Sequence, residues 1–471
     1  MLIRDAEIEG RSHLDLRIVA GRIEEIGSRL PSRPNEAQLQ AQGGALLPGL
    51  NDHHLHLLAL AAADASLRCG PPQVRDHREL RRCVESAAPS QQGGWLRAVG
   101  YHESVAGSLD RSELDALSPG HPIRMQHRSG ALWTLNSAAV DALQLDAGND
   151  APGVERDSAG RATGRLYRLD AWLGEQLGRI EARVPPKLAK ISQRLAAFGV
   201  TGLTDATPSN GADELALFHS ASERGELRQR LQVMGSLELP ATQAPRVTRG
   251  AFKILLHEDA LPSFDGLCDQ LRRAHGDGRA VAFHCVTRAE LVFAAQALAA
   301  AGSGPQPDRI EHAAVAPPEL VELLKERDIH VVTQPNFIYE RGDAYLDEVA
   351  AGDLPWLYRC GELLESGVAT GAGTDAPFGD PDPWLAMQAA VERKTEAGVT
   401  MGADERVSPE RALALFTSPL AAPGAAPRRL TPGAVADLCL LDRSWSRARD
   451  RLSSDLVAST FCAGELVHSA H

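Results

Sequence analysis

The sequence lacks the marks of several protein classes. It has no apolar run long enough to span a bilayer, so we expect no membrane segment. Its amino terminus carries Asp5 and Glu7 where a signal peptide requires apolar residues. No Cys-x-x-Cys motif is present, and the odd number of cysteines fits free thiols in a reducing cytoplasm (Cys69, Cys83, Cys268, Cys285, Cys360, Cys439 and Cys462). We therefore expect a cytoplasmic protein without a disulfide framework.

The chain also lacks an excess of basic residues. Its 49 Lys and Arg are outnumbered by 62 Asp and Glu, which gives a net charge of −13 and a pI of about 5.7. This balance argues against a nucleic-acid partner. The 471 residues, 43% of them hydrophobic, are too many for one ordinary core and predict more than one domain.

Both ends of the chain contain short strand patterns. Residues 14–19 and 22–26 alternate in part and are separated by a turn at Gly21. Residues 433–442 form another strand pattern, and residues 458–467 are typical of a hairpin around Gly464. We predict that residues 1–47 and 425–471 together form a small β-sandwich.

The middle of the chain alternates between strand and helix patterns. From Gly199 onward the strand patterns lie at residues 200–205, 231–235, 251–256, 280–284, 309–312, 330–335 and 368–375. Repeated strand–helix units predict a parallel sheet with crossover helices. Their number favours an α/β fold with a closed (β/α)₈ barrel of the TIM type over residues 48–424. Residues from about 70 to 190 are polar and rich in Pro and Gly, which indicates an insertion or cap.

A dense polar cluster follows the first apolar strand of this middle region. Within it, His54 and His56 are two positions apart, so on a strand both imidazoles point to the same side. Two such side chains can bind one metal ion. An isolated His-x-His is more often a surface loop, so the interpretation depends on the rest of the chain.

Polar residues recur at the ends or interiors of later predicted strands. They are Lys253, His284, His312 and Asp375. Each alone has an ordinary explanation as a packed or capping residue. In a barrel, however, the carboxyl ends of the strands meet at one face, where catalytic groups lie. We therefore expect these side chains to share a site with His54 and His56.

This set of residues resembles the amidohydrolase superfamily. The motif Pro-Gly-x-x-Asp-x-His-x-His occupies residues 48–56 and precedes the lysine, the two later histidines and the aspartate. Finer features resemble its third family, the branch of YtcJ-like proteins and N-substituted formamide deformylases. These features lie at residues 136–139, 252–254, 283–284, 309–313, 373–377 and 436–438. The resemblance extends over nearly the whole chain.

The resemblance implies a metal-dependent hydrolase with a (β/α)₈ barrel. It places His54, His56 and Asp375 around the more buried ion and His284 and His312 around a second. Lys253, as an N-carboxylated lysine, would bridge the two ions. We expect two Zn²⁺ ions, with one ion or another divalent metal as alternatives. Asp375 would act as general base and then general acid for a water activated by the metal.

Substrate contacts are predicted where the chain departs from the family pattern. No Gly-His precedes Asn136, and Arg128 and Trp133 are candidate replacements, although Trp133 also fits a buried packing role. His102 follows a predicted strand, and His257 follows the strand of Lys253. Three arginines are compatible with a substrate that carries an anionic group (Arg128, Arg165 and Arg288).

The function that fits these features is hydrolysis of a C–N bond in an amide, a formamide or a carbamate-like small molecule. One alternative is deamination of a ring amidine, but such enzymes usually lack the strand lysine and carry a glutamate soon after the third histidine. Here Lys253 is present and Glu290 lies on the helix beyond His284. A non-catalytic scaffold would lose metal ligands, which this chain retains. We expect neither a nucleic-acid nor a membrane partner and leave a homodimer open.

Overall fold

A computed structural model describes residues 1–71, 73–87, 94–118, 120–149, 151–180, 185–242 and 244–470. They form two compact units. Residues 1–57 together with 188–471 make up the barrel unit, and residues 58–187 make up the inserted unit. Within the described ranges, no helix has both the length and the apolar composition that crossing a bilayer requires.

Eight parallel strands form the central sheet of the barrel unit, paired in sequence order. They are β1 (Leu50–Leu55), β2 (Val200–Asp205), β3 (Arg230–Gly235), β4 (Val247–Leu255), β5 (Val281–Cys285), β6 (Arg309–His312), β7 (His330–Thr333) and β8 (Thr370–Ala372). Beyond β8, the Asp375 N–H donates to the His54 carbonyl at 2.8 Å, and the His56 N–H donates to the Ala376 carbonyl at 2.8 Å. The chain after β8 therefore returns to β1, and the predicted barrel is confirmed.

Helices connect these strands and cover the outer face of the sheet. A buried apolar cluster packs the strands from β4 through β7 against four of the helices, and it includes Phe252, Phe283 and Leu324. Burying a side chain of this size contributes roughly 1.5–3 kcal/mol. The helices of this unit are Ala189–Ala197, Ala212–Glu223, Phe264–Gly276, Arg288–Ala301, Pro318–Glu326, Asn336–Glu348, Cys360–Glu365, Pro383–Glu392, Pro409–Ala414 and Trp445–Ala448.

The helix Arg288–Ala301 is flanked by residues that favour helix ends. Thr287 is its N-cap and accepts from the Glu290 N–H, while the Glu290 carboxylate accepts from the Thr287 N–H. This reciprocal arrangement satisfies amide groups that a helix start leaves without partners. The helix ends at Gly302, whose φ of 82° suits a residue without a Cβ.

Strands from both chain ends form one mixed sheet of eight strands within the barrel unit. They are Leu2–Ile8, Arg11–Val19, Arg22–Gly27, Gln38–Gln40, Ala45–Pro48, Leu438–Leu441, Val457–Cys462 and Glu465–Ser469. The last strand of the amino-terminal part, Ala45–Pro48, pairs antiparallel with Leu438–Leu441. The predicted β unit built from both termini is therefore confirmed, and it leads through Gly49 directly into β1.

The inserted unit has a six-stranded sheet of its own. Its strands are Leu67–Arg68, Leu96–Tyr101, Ile123–His127, Leu132–Leu135, Val154–Arg156 and Ala162–Tyr167. Its helices are His77–Ala87, Glu103–Ala106, Arg111–Leu117, Ser137–Ala142 and Asp170–Ile180, while the helix Leu57–Asp64 begins at the boundary between the units. Asn136, from the predicted Asn-Ser pair, caps Ser137–Ala142 by accepting the Ala139 N–H at 3.1 Å.

Candidate metal centre

The carboxyl-terminal end of the barrel gathers polar side chains from several strands. β1 contributes His54, and His56 follows it directly. Lys253, His284 and His312 lie in or at the end of β4, β5 and β6, and Asp375 follows β8. These are the side chains that the strand patterns assigned to one site, and the structure places them at one end of the barrel.

Two histidines and a carboxylate form the innermost group. The Asp375 Oδ1 atom lies 3.5 Å from His54 Nε2 and 3.3 Å from His56 Nε2. One ligand atom from each residue lies within 4.8 Å of the others, close enough to hold one ion together. His54 is buried, and the His56 side chain is 16% exposed. The group is therefore enclosed on the His54 side and open on the His56 side.

The two later histidines continue this group. The His312 ring centroid lies 4.9 Å from that of His54 and 4.5 Å from that of His284. The His257 ring lies 6.4 Å from His284, so this predicted substrate contact is next to the cluster. Four imidazoles, those of His54, His56, His284 and His312, thus adjoin one another within the barrel unit.

Lys253 occupies the interior of this cluster. The residue is 3% exposed, and its Nζ atom has no hydrogen-bond partner among the described residues. Burial lowers the pKa of Lys253 to about 8, although the nearby Glu311 carboxylate opposes this shift. The Oδ1 atom of Asp375 is likewise buried without a hydrogen bond from the described residues. Buried polar atoms are normally paired, so both atoms indicate a binding site.

Hydrogen bonds on the outer ring nitrogens orient two of the histidines. The His54 Nδ1–H donates to the Glu311 carboxylate, and the His312 Nδ1–H donates to the Gln334 Oε1 atom at 2.6 Å. Each bond places the proton on Nδ1 and leaves the Nε2 lone pair available. Metal-binding histidines are typically held in this way. The His56 Nδ1 atom lies 2.9 Å from the Thr207 hydroxyl.

The ionisation of the cluster suits metal binding. Burial lowers the pKa of His312 to about 3 and lowers the pKa values of His54 and His284, so these imidazoles are neutral at neutral pH. Burial alone would raise the pKa of Asp375. The nearby His56 side chain, 3.3 Å away, and the adjacent imidazoles of His54 and His312 instead hold the pKa of Asp375 below its usual range. The donor set is therefore neutral nitrogen and anionic oxygen, which zinc prefers.

Hydrogen bonds to the Asp52 side chain fix the backbone on both sides of the site. Asp52 accepts the N–H groups of His54 and Thr374, each at 3.1 Å, and the Thr374 hydroxyl at 2.6 Å, so it ties β1 to the chain after β8. Burial raises the pKa of Asp52 to about 7. His312 and Asp375 have φ values of 70° and 56°, a left-handed conformation that costs free energy and clusters at functional sites.

Comparison with known proteins assigns this chain to a family. The model of the amidohydrolase family, branch 3, matches residues 39–468, nearly the whole chain. The chain belongs to amidohydrolase family 3. The match runs from residue 39 through the inserted unit to residue 468, so the shared pattern is not limited to the histidine motif.

Two relatives resemble this amidohydrolase over most of their length. An N-substituted formamide deformylase from Arthrobacter pascens is 24% identical over 90% of this chain and 89% of its own. The putative amidohydrolase YtcJ from Bacillus subtilis (strain 168) is 24% identical over 82% of this chain and 80% of its own.

Solved structures share the fold. An uncharacterized metal-dependent hydrolase from Pyrococcus horikoshii OT3 superposes with a TM-score of 0.73 at 21% identity, and covers 94% of this chain and 96% of its own. A metal-dependent hydrolase from Pyrococcus furiosus gives a TM-score of 0.71 at 22% identity, over 94% of this chain and 99% of its own. Family membership and the His54–His56–Asp375 cluster identify this amidohydrolase as a metal-dependent hydrolase of the superfamily.

Three predicted substrate contacts of the amidohydrolase lie in the inserted unit. Trp133 is 4% exposed, and its indole N–H donates to Asp170 at 2.8 Å, so it packs in the core of that unit. Arg128 is half-buried and donates its backbone N–H to the Tyr101 carbonyl at 2.8 Å. The substrate roles of Trp133, Arg128 and His102 stay predictions.

His102 belongs to a second compact cluster, with Glu103 and His127, whose ligand atoms lie within 4.8 Å of one another. The Nδ1 atom of each histidine accepts a backbone N–H, from Ser104 at 3.3 Å and from Ser129 at 3.1 Å. Neutral rings then carry their protons on Nε2, where both face the Glu103 carboxylate. This arrangement favours a hydrogen-bonded group over a metal site.

The sequence did not identify the residues that orient the histidines. Glu311 lies two positions after Arg309 on β6, so both side chains point into the barrel, where Arg309 donates to Glu311 and to the His53 carbonyl. Alternation along β6 was the available signal, but its interpretation requires knowing that His54 lies opposite. His53, next to His54 on β1, points away from the centre because neighbouring strand residues face opposite sides, and its Nε2 atom lies 2.9 Å from the Ser418 hydroxyl.

Proposed function

We propose that this amidohydrolase hydrolyses a C–N bond in an amide, a formamide or a carbamate-like small molecule. The observation that carries the proposal is the buried pair of unpartnered atoms, Lys253 Nζ and Asp375 Oδ1, enclosed by neutral imidazoles. In a hydrolase that binds two metal ions, a lysine in this position could be carboxylated and supply oxygen ligands to the ions.

The residues present fit such ions. His54, His56 and Asp375 would hold the first ion through nitrogen and oxygen atoms that already lie within 4.8 Å of one another. His284 and His312 would hold the second. The buried Lys253 amine, once neutral, could take up CO₂ and release one proton to solvent, and the carbamate so formed would offer two oxygens as further metal ligands. We infer zinc as the metal because the donor set is imidazole and carboxylate oxygen.

Bound zinc would supply Lewis acidity toward the substrate carbonyl and lower the pKa of a water molecule. The side chains of the protein perform the proton transfers. Asp375 adjoins both His54 and His56, so its carboxylate can accept the proton of the attacking water. It can then deliver that proton to the leaving nitrogen. Its fixed turn after β8 keeps the carboxylate in place between the two steps.

Deamination fits the geometry less well. The glutamate that such a reaction requires has one candidate in the sequence, Glu290. In the structure its carboxylate accepts the N–H groups of Val286 at 2.7 Å, Thr287 at 3.1 Å and Glu258 at 3.1 Å. A carboxylate that accepts three backbone donors stabilises the start of a helix, and its oxygens are directed to the backbone and not to a substrate. The similarity to the Arthrobacter relative, an N-substituted formamide deformylase, also supports amide chemistry.

A substrate screen tests the proposal. Zinc-loaded protein is incubated with N-formyl, N-acetyl and carbamate compounds, and in parallel with ring amidines, and the released amine, acid or ammonia is quantified. Chelated protein serves as the control. Release of an amine and an acid that depends on metal supports the proposal. Release of ammonia from ring amidines, with amides untouched, contradicts it.

A further inference from the structure

The arginines that the sequence singled out as anion contacts are largely occupied. Arg165 pairs with Glu155 at 3.2 Å and donates to the Leu109 carbonyl at 2.8 Å. Arg288 pairs with Asp353, and its guanidinium lies 4.4 Å from the centroid of the Trp356 ring. Their charges are therefore matched inside the protein.

A different arginine, Arg341, lies beside the candidate metal centre. It belongs to the helix Asn336–Glu348, which begins three residues after β7 ends. Its Nη2 atom donates to the Phe378 carbonyl at 2.6 Å. Phe378 follows Asp375 by three positions, and its ring meets the His56 ring edge-on at 5.4 Å. Arg341 is thereby attached to the same turn that carries Asp375.

Arg341 interacts at a distance with the carboxylates of Asp375 and Glu340, but it pairs directly with neither of them. Among the described residues it forms no ion pair, and its single hydrogen bond is to a carbonyl although a guanidinium has five N–H donors. The adjacent Glu340 is committed elsewhere, since it accepts from Asn336 at 2.8 Å and from the Asp380 N–H at 3.1 Å. Arg341 thus retains donors for a further acceptor.

The surroundings of Arg341 suit a bound anion. One face of its guanidinium lies on the Phe337 ring, 3.9 Å from the centroid, which keeps the planar group fixed. Tyr345 and Tyr358 stack with a centroid distance of 6.2 Å, and both interact electrostatically with Arg341, while Tyr358 also interacts electrostatically with Asp375. A fixed, half-buried guanidinium binds a carboxylate through two parallel hydrogen bonds.

We propose that Arg341 binds a carboxylate on the substrate, next to the C–N bond that is cleaved. The inference rests on the proposed function and narrows its substrate class to N-formyl or N-acyl compounds that bear a carboxylate, as N-acylated amino acids do. Arg341 then determines specificity, while the chemistry remains with Asp375 and the metal ligands.

Matched substrates separate this role from a structural one. N-formyl-leucine and N-formyl-3-methylbutylamine differ only by the carboxylate, and further pairs of this kind vary the side chain. The zinc-loaded enzyme should favour the carboxylate member of the preferred pair in kcat/KM by about 10- to 100-fold, the range expected for hydrogen bonds to a charged group. Arg341→Gln should remove this preference mainly through KM, and Arg341→Lys should keep part of it.

Controls make each outcome informative. Arg288→Gln removes a positive charge that is already paired and should leave the preference intact. Turnover of the neutral member by Arg341→Gln shows that this variant is folded and active. If Arg341→Gln lowers turnover of both members equally, or if the unsubstituted enzyme prefers neutral substrates, Arg341 does not bind a carboxylate and the proposed function stands. If the zinc-loaded enzyme cleaves neither these pairs nor the N-acetyl and carbamate compounds of the substrate screen, the proposed function itself is contradicted.

Discussion

The buried imidazole of His54 donates its Nδ1–H to the carboxylate of Glu311, which lies 257 positions later in the chain. The same carboxylate accepts from Arg309. Burial opposes a charge on Glu311, but Arg309, Lys253 and His54 surround it and hold its pKa well below the usual value. One carboxylate therefore fixes the tautomer of a predicted metal ligand and balances the positive charges inside the barrel.

Replacing Glu311 by Gln should weaken the binding of one metal ion. The amide accepts a weaker hydrogen bond from His54 Nδ1, and losses of this kind typically reduce metal affinity about 10- to 100-fold. Competition with a chelator of known affinity measures the change. Gln334→Leu is the matched variant for His312 and should weaken the other ion. Unchanged affinity in both variants would show that the two histidines need no outer hydrogen bond.

Lys253→Ala should reduce the number of bound ions and the turnover together, because the bridging oxygens are lost. In the unsubstituted protein, zinc added to the chelated form should restore activity faster with added bicarbonate, which supplies the CO₂ that a neutral lysine requires. The rate of recovery, measured with and without bicarbonate, checks this. A Lys253→Ala variant that keeps both ions and full activity would refute the bridging role.

Asp375→Asn removes the proposed general base and one metal ligand. General acid–base catalysis typically contributes about 10²- to 10⁴-fold, so kcat should fall by at least this range. Steady-state kinetics on zinc-saturated protein measures the change, and metal analysis of the same sample separates lost catalysis from lost zinc. A variant with normal zinc content and normal kcat would mean that another group moves the proton.

Glu290→Ala should affect stability and leave the reaction intact. Its carboxylate accepts three backbone N–H groups, and leaving buried donors without partners costs about 1–3 kcal/mol. Urea denaturation should show this decrease, while kcat on an amide substrate stays near that of the unsubstituted enzyme. A selective loss of kcat at unchanged stability would instead show that Glu290 takes part in the reaction.

The sequence predicted the centre because its residues interrupt apolar strands. Lys253, His284 and His312 stand out in β4, β5 and β6, where a polar side chain needs an explanation. The barrel then requires such strand ends to converge. Local alternation alone places the His54 and His56 imidazoles on one side of the strand. The same rule places His53 on the opposite side, where the structure has it.

Other parts of the site depend on contacts that local patterns do not encode. Glu311 takes its role from His54, across the barrel, and Gln334 takes its role from His312. Arg341 lies on a helix without any motif, and its importance comes from the turn at Phe378. Trp133 shows the opposite case, since an aromatic residue near a predicted cap lies in an apolar core.

The most direct test of this account is an anomalous difference map from crystals grown with zinc. We predict one peak for each proposed ion at the carboxyl-terminal end of the barrel, as expected of a two-metal hydrolase. One peak should lie among His54, His56 and Asp375 and the other beside His284 and His312, with continuous density joining both to the Lys253 side chain. A map without peaks there, or with one peak and an unmodified lysine, would contradict the account.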